Sequence, residues 1–231
     1  MASQRPRSLG ILNLERGFPG SQPRPGSLLN STTFEFPIII ETVAGAWADV
    51  VIRGDPGLEP AYIAAARRLV ERGAVAMTSN CGFSIRHQAA VAASVNVPVA
   101  MSSLLLLPSL LRQLPRHAKI AVVTADSKYL GDDLLSLDNT AERSRIVVGG
   151  IEGGTFWQNE MKRPPPITDI ADIETDVVTC LIGLRAAQPA IAAILFECTA
   201  FPLVTPAIRR IMRLPIYDIT TLCRMTFASA A

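Results

Sequence analysis

The sequence predicts an α/β protein of two pseudo-symmetric halves, each a doubly wound parallel sheet. Three observations predict it. Short apolar runs alternate with segments of helical periodicity along the chain. Two of those runs, Ala74 to Cys81 and Ile191 to Cys198, end in a cysteine. Seventeen residues after each cysteine stands a proline opening another apolar run, Pro98 to Ser103 and Pro215 to Thr220, so strand, turn, helix and next strand occur twice.

In chain order, Leu9 to Leu14 reads as a buried first strand and the Gly/Pro-rich stretch Gly17 to Gly26 as a loop or lid. Phe36 to Thr42 reads as a second strand and Ala48 to Arg53 as an edge element. Glu59 to Arg72 has helical periodicity, with Pro60 in its first turn and Gly73 as its stop. The Cys81 strand follows, then an alanine-rich helix from Phe83 to Asn96 and a strand from Val97 to Ser102. In the apolar helix Leu104 to Leu114, Pro108 marks a late start or a kink. Lys119 to Thr124 opens the second half as the counterpart of Leu9 to Leu14. Ile146 to Gly150 is its next strand, Gly153-Gly154 a turn and Lys162 to Pro166 a proline-rich loop. Ile167 to Ala187 is the helix before the Cys198 strand, capped by Thr168 or Asp169, and Leu203 to Arg213 is the matching later helix. The halves are expected at 1–103 plus 204–231 and at 104–203.

Composition narrows the function. With 49% hydrophobic and 18% charged residues, in segments broken by 17 prolines and 15 glycines, 231 residues describe a compact enzyme-like fold. A net charge of +2 from scattered Lys and Arg argues against nucleic acid as a partner, and no run is long enough to span a bilayer. Met1 to Arg7 is basic, but the apolar stretch behind it is too short for a signal-peptide core, so a cytoplasmic location is expected. The cysteines at 81, 180, 198 and 223 match no zinc or Cys-x-x-Cys spacing, and neither His87 nor His117 completes a ligand set, so no metal is expected.

The cysteines carry the chemistry. At a strand-to-helix turn a thiol meets free backbone N–H groups and the positive end of a helix dipole, which favour the thiolate and cradle an anion. A thiolate and a thiol on opposite sides of a substrate carbon can remove a proton from one face and deliver one to the other. An isolated cysteine is most often a small buried hydrophobe; two at equivalent points of a repeat, each flanked by small polar residues, favour chemistry. Asn80, Thr199 and Asn13 are candidates to bind a carboxylate or to close the turns as caps. Phe83, Phe201 and Leu14 line a less polar pocket or belong to the core. Glu197 orients the thiol, binds an amine or points away. Asp126 and Ser127 line the cleft, or Asp126 caps a helix; Cys180 and Cys223 read as packing residues.

Glu197-Cys198-Thr199, Ser79-Asn80-Cys81-Gly82, the segment Pro25 to Pro37 with its Asn30-Ser31-Thr32-Thr33-Phe34, and Tyr217 to Leu222 carry a resemblance over nearly the whole chain. Through them the chain resembles the aspartate/glutamate racemase superfamily. The resemblance implies two α/β halves that each present a catalytic cysteine, Cys81 and Cys198, across a cleft, without pyridoxal phosphate or metal. It implies a small carboxylate substrate held by Asn13, Asn80, Gly82, Phe83, Thr199 and Ala200. The implied activity is cofactor-independent racemisation or epimerisation beside a carboxylate or carbonyl, in a homodimer or higher homo-oligomer. Well-known amino-acid racemases follow the first cysteine with Asn-Thr, where this chain has Gly82-Phe83, so the question of substrate lies around Cys81. Similar scaffolds host decarboxylases with one cysteine and cis-trans isomerases with a nucleophilic one; a non-catalytic small-acid binder is the rival from another class.

Overall fold

The computed structural model describes residues 7–17 and 22–230. The chain divides into two compact units, one of residues 1–102 with 220–231, the other of 103–219. The first holds strands β1 (Ser8–Asn13), β2 (Ile38–Thr42), β3 (Ala74–Ser79) and β4 (Val99–Ala100); the second holds β5 (Lys119–Thr124), β6 (Ile146–Gly150), β7 (Ile191–Phe196) and β8 (Ile216–Tyr217). Strand orders are β2-β1-β3-β4 and β6-β5-β7-β8, and every pairing is parallel. This is the two-sheet α/β architecture expected above.

The expected boundaries change by one residue at Ser103, which joins the second unit, and more widely at 204–219. Residues 204–219 belong to the second unit, because Ile216–Tyr217 pairs with β7 and extends that sheet. Only the C-terminal helix, Ile219–Ser229, crosses to the first unit.

The repeat persists in hydrogen-bond detail. The β1–β3 register slips between Ser8 and Leu9, and the β5–β7 register slips at the matching place, between Lys119 and Ile120. The carbonyl of Pro98 accepts from Met77 N at 2.9 Å, and that of Pro215 accepts from Ile194 N, also at 2.9 Å. A proline has a carbonyl to give and no N–H to waste, which suits the first position of a short strand. Both paired prolines thus fasten the fourth strand of their sheet.

Helices cover the sheets as their apolar spacing requires. Glu59–Glu71 buries Tyr62, Ala65, Ala66 and Leu69 and packs on β1, β2 and β3. Pro60 lies in its first turn, and Gly73 follows it at φ +98°. Ile170–Ala187 buries Ile173, Val177 and Leu181, one face at four-residue spacing, against β5 and β6. In the second unit these side chains join Ile194, Phe196, Phe201 and Ile208 in one core.

Local differences follow from short-range geometry. Ala48–Arg53, expected as an edge element, is a helix; Gly54 closes it at φ +78° with its N–H on the carbonyls of Val50 and Val51. Six residues are too few for a run such as Val50-Val51-Ile52 to declare its period. Phe83 to Asn96 divides into a 3₁₀ turn, Gly82–His87, and a helix, Gln88–Ser94. The strand expected over Val97 to Ser102 is two residues long, and Leu104 to Leu114 opens as 3₁₀ before the helix Leu107–Gln113, with Pro108 in its first turn. Part of the loop or lid expected at 17–26, residues 18–21, lies outside the described residues. Among the described residues no helix is long and apolar enough to cross a membrane.

Candidate active site

In each unit the strand that precedes the cysteine stops two residues short of it, at Ser79 and at Phe196. The residue between is then clamped to the neighbouring strand. Asn80 donates its backbone N–H to Leu12 O at 2.8 Å and its Nδ2 to Asn13 Oδ1 at 3.0 Å. In the second unit Glu197 donates its N–H to Val123 O at 2.9 Å, and its Oε2 accepts from Thr124 Oγ1 at 2.8 Å. The chain then turns the same way twice: Ser84 N donates to Cys81 O at 3.1 Å and Phe201 N to Cys198 O at 3.2 Å. Matching bonds present matching cysteines at the carboxyl ends of parallel strands, where open α/β sheets bind ligands.

Cys81 is extended (φ −157°, ψ 125°) and 9% exposed, and Cys198 is half-buried. Neither is in a disulfide. Gly82 and Phe83 form the start of the turn behind Cys81; Thr199 and Ala200 occupy the corresponding positions behind Cys198. Thr199 is buried and Ala200 half-buried.

Beneath the turns the side chains differ. Behind Cys81, Ser84 Oγ lies 2.8 Å from Tyr62 Oη and accepts from Ser79 Oγ at 2.9 Å, while Ser79 Oγ also lies 3.3 Å from Leu12 O. Tyr62 in turn stacks on His87, ring centroids 4.6 Å apart. Burial, with the Cys81 charge second, pushes the Tyr62 phenol far above its usual range. Burial also pushes the His87 imidazole below its usual value. Behind Cys198, Phe196 and Phe201 meet edge to face at 5.4 Å.

Of the expected site residues, Asn13 and Asn80 are brought together beside Cys81, and Thr199 and Ala200 follow Cys198 in the other unit. Phe83, Phe201 and Leu14 are core side chains, at most 5% exposed. Phe83 therefore adds its backbone to the turn. Asp126 is a cap that accepts from Lys128 N at 3.1 Å and from Trp157 Nε1 at 3.0 Å. Ser127 N donates to the Glu152 carboxylate at 3.1 Å. Cys180 is packed in the helix Ile170–Ala187, where burial and then the Glu152 charge push its thiol up to about 11. Cys223 is buried in the C-terminal helix. Among the described residues no group of three or more His, Cys, Asp or Glu side chains could hold a metal ion.

Sequence reasoning missed Thr124 and the cluster Tyr62, Ser79 and Ser84. Thr124 had a partial signal: Leu9 to Leu14 aligned with Lys119 to Thr124 sets it opposite Leu14, one residue past Asn13, and the observed strands Ser8–Asn13 and Lys119–Thr124 bring Asn13 and Thr124 into register. The hydroxyl cluster had no such signal, since Tyr62 sits on a helix 17 residues before Ser79 and reads as an ordinary buried position.

Comparison with known proteins sharpens these features. No family model matches the chain. The chain is 30% identical over 219 residues to a dimethylsulfoniopropionate lyase of Durusdinium sp. clade D, a match covering 91% of this chain and 71% of that protein. The chain belongs to the dimethylsulfoniopropionate lyase family. Another relative in this family, dimethylsulfoniopropionate lyase 7 of Emiliania huxleyi, is 28% identical over 233 residues, 96% of this chain and 67% of the relative. Lyase 3 of the same organism is matched over 59% of its length, so the chain spans only part of these longer family members. Among solved structures, glutamate racemase from Francisella tularensis superposes with a TM-score of 0.57 at 15% identity, over 98% of this chain and 81% of that one. Unliganded arylmalonate decarboxylase superposes with a TM-score of 0.52 at 16% identity, over 97% and 91%. The fold of this chain is that of the aspartate/glutamate racemase superfamily.

Proposed function

We propose that this chain is a cofactor-independent lyase in which a cysteine thiolate, at Cys81 or at Cys198, takes a proton from the carbon beside a carboxylate. The duplicated frame carries the reading: the same hydrogen bonds hold a cysteine at the same point of each unit. A thiol held at such a strand-to-helix turn suits proton transfer. Asn13, Asn80 and Gly82 about Cys81, and Thr199 and Ala200 about Cys198, are the groups that would bind a carboxylate in their own unit.

Elimination is favoured as the outcome by the relatives, named as lyases of dimethylsulfoniopropionate. In that molecule a sulfonium stands on the carbon β to the carboxylate. The thiolate takes the α-proton, the C–H electron pair becomes the α,β double bond, and the carbon–sulfur pair leaves with sulfur. Neutral dimethyl sulfide and acrylate result, and the proton passes from the cysteine to water. The buried carboxyl of Glu197 beside Cys198 suits a substrate that carries a positive charge as well as a carboxylate. Racemisation is the second reading, because it begins with the same step: without a β leaving group the carbanion is reprotonated.

The test is direct. Incubation with dimethylsulfoniopropionate should release dimethyl sulfide, read by headspace gas chromatography, with acrylate in equal amount. Cys81→Ser should lower turnover by about 100-fold or more. A parallel panel of aspartate, glutamate, hydantoins and 2-substituted acids in deuterated water reads α-exchange. Neither gas release nor exchange, or full activity in both single cysteine variants, would overturn the proposal.

A further inference from the structure

The two cysteine turns share a backbone but not the side chains under it. The residues two before and three after Cys81 are Ser79 and Ser84; those around Cys198 are Phe196 and Phe201. The residue just before the cysteine is an amide, Asn80, in one unit and a buried acid, Glu197, in the other. We propose that Ser84, held between Tyr62 and Ser79, is a positioning residue that makes Cys81 the proton-abstracting thiolate, while Cys198 over its aromatic pair is kept as the thiol. The assignment rests on the acid/base reading above and adds its direction.

Each difference favours charge at Cys81. Three hydroxyls in a row, Tyr62, Ser84 and Ser79, ending at Leu12 O, hold three protons that can be reoriented together. Hydroxyl dipoles turn toward a negative charge, and in a buried site they replace the water that a thiolate would lose. Ser84 sits in the Cys81 turn, its N–H on Cys81 O at 3.1 Å, and burial, with the Cys81 charge second, raises the Tyr62 pKa and keeps it a proton-bearing phenol. The charged and titratable groups about this turn are Tyr62 and Glu59 on one helix, Asp55 ahead of it, and Arg86 and His87 on the turn itself. His87 is held toward its neutral form, so Arg86 is the cation that the turn itself contributes. Behind Cys198 the rings of Phe196 and Phe201 have no dipole to reorient. The buried acids at the strand ends of that unit are Asp126, Glu197 and Asp218, and a carboxylate adjoining the cysteine opposes a second negative charge.

Alkylation by iodoacetamide as a function of pH, followed at each cysteine by peptide mass spectrometry, tests this without any substrate. Each profile is normalised to its own high-pH plateau, which removes differences in access. Cys81 should reach half its plateau at a pH about one unit below Cys198, with Cys180 slower than both at neutral pH. Ser84→Ala should cut the normalised Cys81 rate at pH 7 by about tenfold and leave Cys198 unchanged; Ser84→Thr should restore most of it. If Ser84→Ala does not fold, Tyr62→Phe serves, with a smaller drop of the same sign. In turnover the acid limb of the kcat profile should move to higher pH while KM stays. Equal profiles for the two cysteines, or a Cys81 profile indifferent to both variants, would overturn the assignment. A protein with unequal profiles and no turnover would instead overturn the function proposed above and leave standing only the effect of Ser84 on the acidity of Cys81.

Discussion

At the scale of single residues, small substitutions in a repeated frame set what each cysteine feels. Asn13 and Thr124 end equivalent strands and each bonds the residue just before the cysteine, so the frame survives a change from amide–amide to hydroxyl–carboxyl pairing. His87 offers a separate test of this neighbourhood. It is buried against the Tyr62 ring, and burial lowers its pKa from 6.5. Below pH 6.5 the unfolded chain takes up a proton that the folded imidazole resists. The stability linked to His87 is therefore complete above that value and is lost as pH falls through the folded pKa. His87→Phe keeps the stack and removes the proton site. In urea titrations the wild type should lose more stability than this variant on acidification from neutrality, and parallel pH curves would refute the assignment.

At the scale of elements, glycine decides how closely a helix can approach. A Cβ on Gly149 of β6 would lie 2.7 Å from Leu184 Cδ1 and 2.8 Å from Cys180 Sγ, both on the helix Ile170–Ala187. Gly149→Ala should cost about 1–3 kcal/mol by overpacking, read as a lower urea midpoint. A simultaneous Cys180→Ala should recover part of the loss by making room. The strands and helices legible in advance were those long enough to show a period or bounded by proline and glycine, such as Glu59–Glu71 between Pro60 and Gly73. Ala48–Arg53 was not, because a one-and-a-half-turn helix and a short strand carry the same apolar run; a left-handed Gly54 decides it.

At the scale of the whole molecule, the helix Ile219–Ser229 returns to the unit that holds β1 to β4. The C-terminal helix holds the segment before β2: Phe227 stacks on Phe36 at 3.9 Å, and Arg224 donates to Thr33 O at 2.9 Å while lying 5.4 Å from the Phe34 ring. Phe227→Ala should destabilise the first unit by about 1 kcal/mol or more. Hydrogen exchange should show faster opening of β1 to β4 with β5 to β8 unaffected; uniform loosening of both sheets would contradict the two-unit division.

The sequence by itself determined the repeat, its strands and the two cysteines at their ends, because those features are local: a run of apolar residues, a turn, a proline at fixed spacing. Asn13 and Asn80 were legible for the same reason, as polar residues at the ends of recognisable strands. Only the tertiary structure decided that 204–219 completes the second sheet, since strand pairing joins residues far apart in sequence. It also decided that Phe83 is core, and that Tyr62, Ser79 and Ser84 meet under Cys81 where Phe196 and Phe201 meet under Cys198. Burial and hydrogen bonding among distant side chains set the polarity around a thiol, and no local pattern records it.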